Sequence, residues 1–178
     1  IPNSFVFHPC DMMETIICWK AALKISNAPS FICLSRQNLP QISNKKLNLK
    51  NFKGAYLIYE TAKNNDITII ATGSEVSLAI ETADLLQKEN VSARVISMPS
   101  TSLFDQQPAS FQKKLFQSKL SQIFVIEAGS TMYWNKFTSS ENIFGIDDFG
   151  ASAPAKDVFH KFGLTPKKIS STIRKRIK

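Results

Sequence analysis

Arg36 stands where an apolar run stops. Phe31-Ile32-Cys33-Leu34 reads as a strand, and Ser35-Arg36-Gln37-Asn38 follows at once with Pro40 behind it. A guanidinium offers two parallel donors in a rigid fork, which suits a phosphate or a carboxylate. On position alone two partners stay open: an anionic ligand, or a carboxylate across a domain boundary. Asp11 is the second candidate. In Asp11-Met12-Met13-Glu14 it occupies the N-cap of a predicted helix, with Glu14 three residues on as in a capping box. Such a cap contributes about 1 kcal/mol to a helix. A carboxylate also has acceptor positions to spare, so a cap can meet a substrate hydroxyl as well; both roles stay open.

Other signals are weaker. Gly73-Ser74 begins a predicted helix and could hold an anion, but Glu75 follows directly and opposes one; a turn with an N-cap is the simpler reading. Ser152, before Pro154, reads as another helix cap. The sequence has no G-x-G-x-x-G, no phosphate loop and no G-x-S-x-G. His8 and His160 are far apart, and Cys10, Cys18 and Cys33 form no C-x-x-C pair. No metal-ligand spacing is therefore present. Three unpatterned cysteines among apolar neighbours fit buried thiols in a reducing cytoplasm. Met12, Met13, Trp19 and the phenylalanines read as core, and Tyr133 and Trp134 as packing between domains.

The net charge of +8 is local. Seven of the 22 basic residues and none of the 14 acidic ones lie in residues 161–178, which leaves the remainder close to neutral. A basic tail suits nucleic acid or anionic lipid, but it also describes a solvated helix face with cations near its C-terminus; the second reading is carried forward and nucleic acid is not expected as a partner. No apolar run approaches 18 residues, so no membrane-spanning helix is expected. The start, Ile1-Pro2-Asn3, reads as a cut inside a longer protein.

The elements around these residues follow from apolar periodicity. A helix from Asp11 carries Met12, Ile16, Trp19 and Leu23 on one face, widened by Ile17 and Cys18, and is expected to be largely buried. Asn27-Ala28-Pro29 ends it, and a buried strand over 30–35 follows. Residues 36–54 hold amides and lysines without an acid and read as a linker. Then come an edge strand at 55–60, apolar strands at 67–72, 93–98 and 122–127, and helices at 75–89 and 108–118. This order predicts right-handed crossovers and a parallel sheet. Residues 131–137 read as a short helix, 142–146 as a strand and 154–162 as a helix. A last helix is capped by Thr165 and opened by Pro166, with Ile169, Ile173 and Ile177 along it. The residues after each parallel strand are polar or small, as a crevice beyond the carboxyl ends requires.

The strings "HPCDMMETIICWKAAL", "LSRQNLP", "ATGSEVSLAIETADLL", "ARVISMPSTSLFDQQ", "VIEAG" and "FGASAPAKDVFHKFGLT" occur in this order. Together they resemble the C-terminal part of a transketolase along nearly the whole chain. The resemblance implies an α/β protein. Residues 1–40 would end a pyrimidine-binding domain, contributing its last helix and strand. Residues 41–54 would be a linker, and residues 55–178 a C-terminal domain with a mostly parallel, mixed sheet flanked by helices. It further implies a cytoplasmic homodimer of the pentose phosphate pathway that uses thiamine diphosphate and Mg²⁺. Such an enzyme moves a two-carbon ketol unit from a ketose phosphate to an aldose phosphate.

Two substrate-binding residues carry over by the resemblance. Asp11 matches the aspartate that contacts a substrate hydroxyl, and Arg36 matches the arginine that binds the substrate phosphate. No catalytic, cofactor-binding or metal-binding residue carries over. The family's diphosphate and Mg²⁺ sites, its activating glutamate and its aromatic pocket for the pyrimidine ring all belong to sequence before residue 1. His8 stands where many bacterial members have arginine and receives no role. The chain alone is thus expected to be inactive. A non-catalytic dimerising or regulatory module, or a related ketol transferase such as dihydroxyacetone synthase, is the alternative.

Overall fold

The computed structural model describes residues 2–42, 47, 51–117, 119 and 122–177. Two sheets organise the chain. The first is small: β1 (Phe5–Phe7) and β2 (Ser30–Ile32) pair in parallel, with α1 (Met12–Ala22) between them. The second has five strands in the order β3-β5-β4-β6-β7. These are β3 (Tyr56–Glu60), β4 (Ile67–Ala71), β5 (Ala93–Ser97), β6 (Ile123–Ile126) and β7 (Ile143–Phe144). All pair in parallel except β3, which runs antiparallel along the β5 edge.

Strands β4, β5 and β6 are buried at every residue, which is why their sequences are apolar without alternation. Helix α2 (Glu75–Gln87) covers one face. It lays Val76, Ala79, Ala83 and Leu86 on Ile69 and Val95, and α6 (Pro166–Arg176) adds Ile169 and Ile173 to the same cluster. The short α3 (Thr101–Asp105) and α4 (Ala109–Phe116) lie on the other face. There Phe104 and Phe116 meet Phe137 and Trp134, the last from a 3₁₀ turn at Met132–Lys136. Helix α5 (Ala155–Lys161) leads into α6.

The chain passes from β4 through α2 to β5 on one side, then across through α3 and α4 to β6 on the other. The topological switch point of the second sheet therefore lies between the carboxyl ends of β4 and β6.

The structure corrects several expectations. Met12 and Trp19 of α1 and Leu23 at its C-cap are 64%, 52% and 79% exposed, and Ile16 is exposed too. The face that packs inward is instead Glu14, Ile17 and Cys18, with Ala21 beside them. The 30–35 strand shortens to three residues. Phe31, Cys33 and Leu34 are exposed, because no described element covers that side of a two-stranded sheet. The loop after Pro99 turns into α3, capped by the Ser100 hydroxyl accepting from the Leu103 N–H. Thr165 and Ser74 hold N-cap positions without a side-chain cap bond, and Pro154, not Ser152, precedes α5. Phe149 is exposed rather than core, and Trp134 belongs to the core of the second sheet.

The linker reaches the second sheet at Gly54, whose φ of +86° is left-handed. A Cβ there would lie 2.4 Å from the Ser100 carbonyl oxygen and 2.5 Å from the Phe104 nitrogen, both backbone atoms. We expect Gly54→Ala to cost about 2 kcal/mol or more in a denaturant titration. The control Gly150→Ala, with nothing within 4 Å of its Cβ, should stay within about 0.5 kcal/mol. Equal midpoints for the two variants would contradict the packing described.

Candidate functional site

The end of β1 docks across the carboxyl ends of β4 and β5, beside the switch point of the second sheet. The His8 N–H donates to the Pro99 carbonyl at 2.7 Å, and the His8 carbonyl accepts the Gly73 N–H at 3.0 Å. The Thr72 hydroxyl donates to the same carbonyl at 3.3 Å. Earlier in β1, the Val6 N–H donates to the Ser102 hydroxyl at 2.9 Å. The crevice expected beyond the strand ends is therefore present, and the chain's own first sheet enters it. Two cavities of about 320 and 210 Å³ flank His8, and Glu127 lines both.

Glu75, at the start of α2, and Glu127, just after β6, face each other across this switch point. The Trp134 indole beside Glu127 favours its ionised form and partly opposes burial. Glu75 accepts from the Ser74 hydroxyl. Among the described residues no Lys or Arg lines either cavity. Burial, reinforced by the facing Glu75, pushes the Glu127 carboxyl up to about 8. Burial also raises Glu75 and lowers His8, which favours the neutral imidazole. The sequence shows both glutamates at strand ends, but their meeting depends on the strand order, which no local pattern carries.

Asp11 is 7% exposed and caps α1: Oδ1 accepts the Glu14 N–H at 2.9 Å. Its Oδ2 accepts the Gln41 side-chain amide at 2.8 Å and the Ile42 N–H at 3.2 Å. Three acceptor positions are thus filled by protein, leaving about one of the four a carboxylate offers.

Arg36 is exposed on the loop after β2 and makes no hydrogen bond or ion pair among the described residues. The rest of that loop, Gln37 to Pro40, lines a 240 Å³ cavity with the N-cap Ser74, with Ser77 and Glu81 of α2, and with α5. Neither Asp11 nor Arg36 lines the cavities around His8. Among the described residues no three His, Cys, Asp or Glu side chains are grouped to hold a metal ion.

The Glu127 shift sets a pH dependence. The folded chain keeps a proton up to about pH 8 that the unfolded chain releases near pH 4.5, so this group's stabilisation is complete below pH 4.5 and lost as pH rises to about 8. Glu127→Gln should flatten that fall. Relative to the unsubstituted chain, its melting temperature should rise between pH 5 and pH 9 by at least about 3 °C. A constant difference across that range would refute the shift.

Comparison with known proteins places this geometry. Residues 54–165 match the model of the transketolase-like C-terminal domain. Transketolase 1 of Pasteurella multocida is 40% identical over 174 residues, which is 95% of this chain and 26% of that protein. The transketolase of Buchnera aphidicola subsp. Baizongia pistaciae is 38% identical over 97% of this chain and 26% of its own length. The crystal structure of Pichia stipitis transketolase in complex with sedoheptulose 7-phosphate superposes with a TM-score of 0.88 at 33% identity. It covers 99% of this chain and 25% of that one. This chain thus spans about a quarter of the relatives it matches. The matched model takes in more than half of the residues, from the entry of the linker at Gly54 to the start of α6, and the chain belongs to the transketolase family.

Proposed function

We propose that this chain works as the C-terminal part of a transketolase and supplies one wall of its substrate site. Residues 1–40 then end the pyrimidine-binding domain, 41–54 link, and 55–178 form the C-terminal domain. The observation that carries this reading is the incomplete first sheet. Two strands and one helix, with Met12, Ile16, Trp19 and Leu23 uncovered, sit on a complete five-stranded domain. In that setting the remainder of the enzyme covers the apolar face of α1 and places the reacting atoms beyond the loop of Arg36. The assembled enzyme transfers a two-carbon ketol unit between sugar phosphates in the pentose phosphate pathway, as a cytoplasmic homodimer.

Thiamine diphosphate supplies the carbanion chemistry in such enzymes, with Mg²⁺ holding its diphosphate. The described residues offer neither a carboxylate cluster for the metal nor a glycine-rich turn for the diphosphate, so no residue of this chain is assigned to that group. The chain's own contribution is recognition. Arg36 is exposed and without an ion pair among the described residues, which leaves its two parallel donors for the substrate phosphate. The remaining acceptor position of Asp11 takes a substrate hydroxyl.

Two outcomes test this. The 178-residue chain alone should show no ketol transfer and no thiamine diphosphate binding by calorimetry; turnover by it would overturn the division of labour. In the assembled enzyme, Arg36→Ala should lower kcat/KM for phosphorylated substrates about 10- to 100-fold, the worth of a charged hydrogen bond, and leave unphosphorylated ones nearly unchanged. Equal losses for both would remove the phosphate role.

A further inference from the structure

Glu14 is completely buried, yet it is charged in water and belongs to none of the roles above. Its Oε2 accepts the Cys10 N–H at 2.7 Å. Its Oε1 accepts two hydroxyls from the second sheet, Tyr56 at 2.7 Å and Ser97 at 2.5 Å. Tyr56 and Ser97 are register partners across β3 and β5, so one carboxylate oxygen closes the end of that strand pair. The Glu14 N–H in turn donates to Asp11 Oδ1. A capping box needs only one glutamate oxygen, reaching back along its own helix. The second oxygen, bonded to a residue 83 positions away, serves something other than the cap.

We infer that Glu14 is a positioning residue for substrate recognition: it clamps the Asp11 carboxylate, and the segment at Gln41–Ile42 that rests on it, against the β3–β5 edge of the C-terminal domain. The inference rests on the Asp11 role proposed above. A carboxylate stripped of water is tolerated only with donors on every side. Here those donors come from three elements, Cys10 ahead of α1, Tyr56 of β3 and Ser97 of β5, so satisfying Glu14 fixes the relative position of all three. Burial raises the Glu14 pKa while the same donors oppose the rise. Gln at this position keeps an acceptor for the Cys10 N–H and presents an amide N–H₂ to hydroxyl oxygens, which can rotate to accept.

Two measurements test the clamp. In amide hydrogen exchange on this chain, Glu14→Ala should lower protection at the position 14 and Ile42 N–H groups at least about tenfold and leave β4 and β6 within about twofold. Glu14→Gln should restore most of it. Ser97→Ala, which deletes one donor and keeps the fold, should give a smaller loss at the same two amides. Unchanged protection at Ile42, or a loss spread evenly through β4 and β6, would overturn the inference. In the assembled enzyme, Glu14→Ala should raise KM for the sugar phosphate about tenfold with a smaller change in kcat, following Asp11→Asn, and Glu14→Gln should recover it. An Asp11→Asn enzyme that is impaired beside a normal Glu14→Ala enzyme would overturn the clamp. A normal Asp11→Asn enzyme with the exchange result intact would retain the clamp as architecture, overturn its part in recognition, and remove Asp11 from the site.

Discussion

A carboxylate buried between two sheets is the constraint on which the rest of the arrangement depends. Glu14 leaves water entirely, and an unmatched ion in such a place would cost several kcal/mol. The seating of the first sheet satisfies it, with Tyr56 and Ser97 on one oxygen and Cys10 on the other. That seating brings the end of β1 beside the switch point, where the His8 backbone finds Pro99 and Gly73. It also turns the N-terminus of α1 toward the linker, where Asp11 meets Gln41 and Ile42. Specificity here comes from hydrogen bonds, because apolar contact alone would tolerate sliding.

The second sheet uses its switch point in an unusual way. In open α/β sheets this crevice is where ligands bind; here a strand end of the same chain lies beside it. The glutamates left beside the docked strand have the Ser74 hydroxyl on Glu75 and the Trp134 indole beside Glu127. Among the described residues they have no lysine or arginine along the cavity walls. Two carboxyl groups in that setting cannot both ionise cheaply. The seam therefore carries a proton at neutral pH, and its strength is tied to pH.

How much of this was legible in the sequence varies by element. The runs Ile67–Ala71, Ala93–Ser97 and Ile123–Ile126 lack alternation, so a parallel sheet follows from them directly, and the crossover order follows from the helices between. The side of α1 that packs was not legible. Met12, Ile16, Trp19 and Leu23 form the stronger apolar stripe, but the packed face is Glu14, Ile17, Cys18 and Ala21, an equally regular i, i+3, i+4, i+7 series headed by an acid. Hydrophobic patterning discounts a glutamate, so it selects the wrong face. Strand β1 is three residues long and carries no periodicity to read. Asp11 and Arg36 were visible as residue types at element boundaries. The contact of Asp11 with Gln41 and Ile42 depends on how the linker returns, which spacing does not encode.

Helix α1 shows what kind of unit the first sheet is. Its inward face is held by a few satisfied polar bonds and a small apolar cluster of Phe5, Phe7, Ile17 and Cys18. Its outward face keeps Met12, Ile16, Trp19 and Leu23 in solvent, and Phe31 and Leu34 extend the exposed surface on the β2 side. Covering six such side chains is worth on the order of 10 kcal/mol at about 1.5–3 kcal/mol each, comparable with the net stability of a whole domain. The hydrogen bonds of Glu14 are individually far smaller, yet they decide where the unit sits, whereas apolar cover would decide how firmly it is held. Geometry and stability thus come from opposite faces of one eleven-residue helix. Asp11, at the N-cap between those faces, is held from the polar side by the Glu14 N–H and from the linker by Gln41 and Ile42.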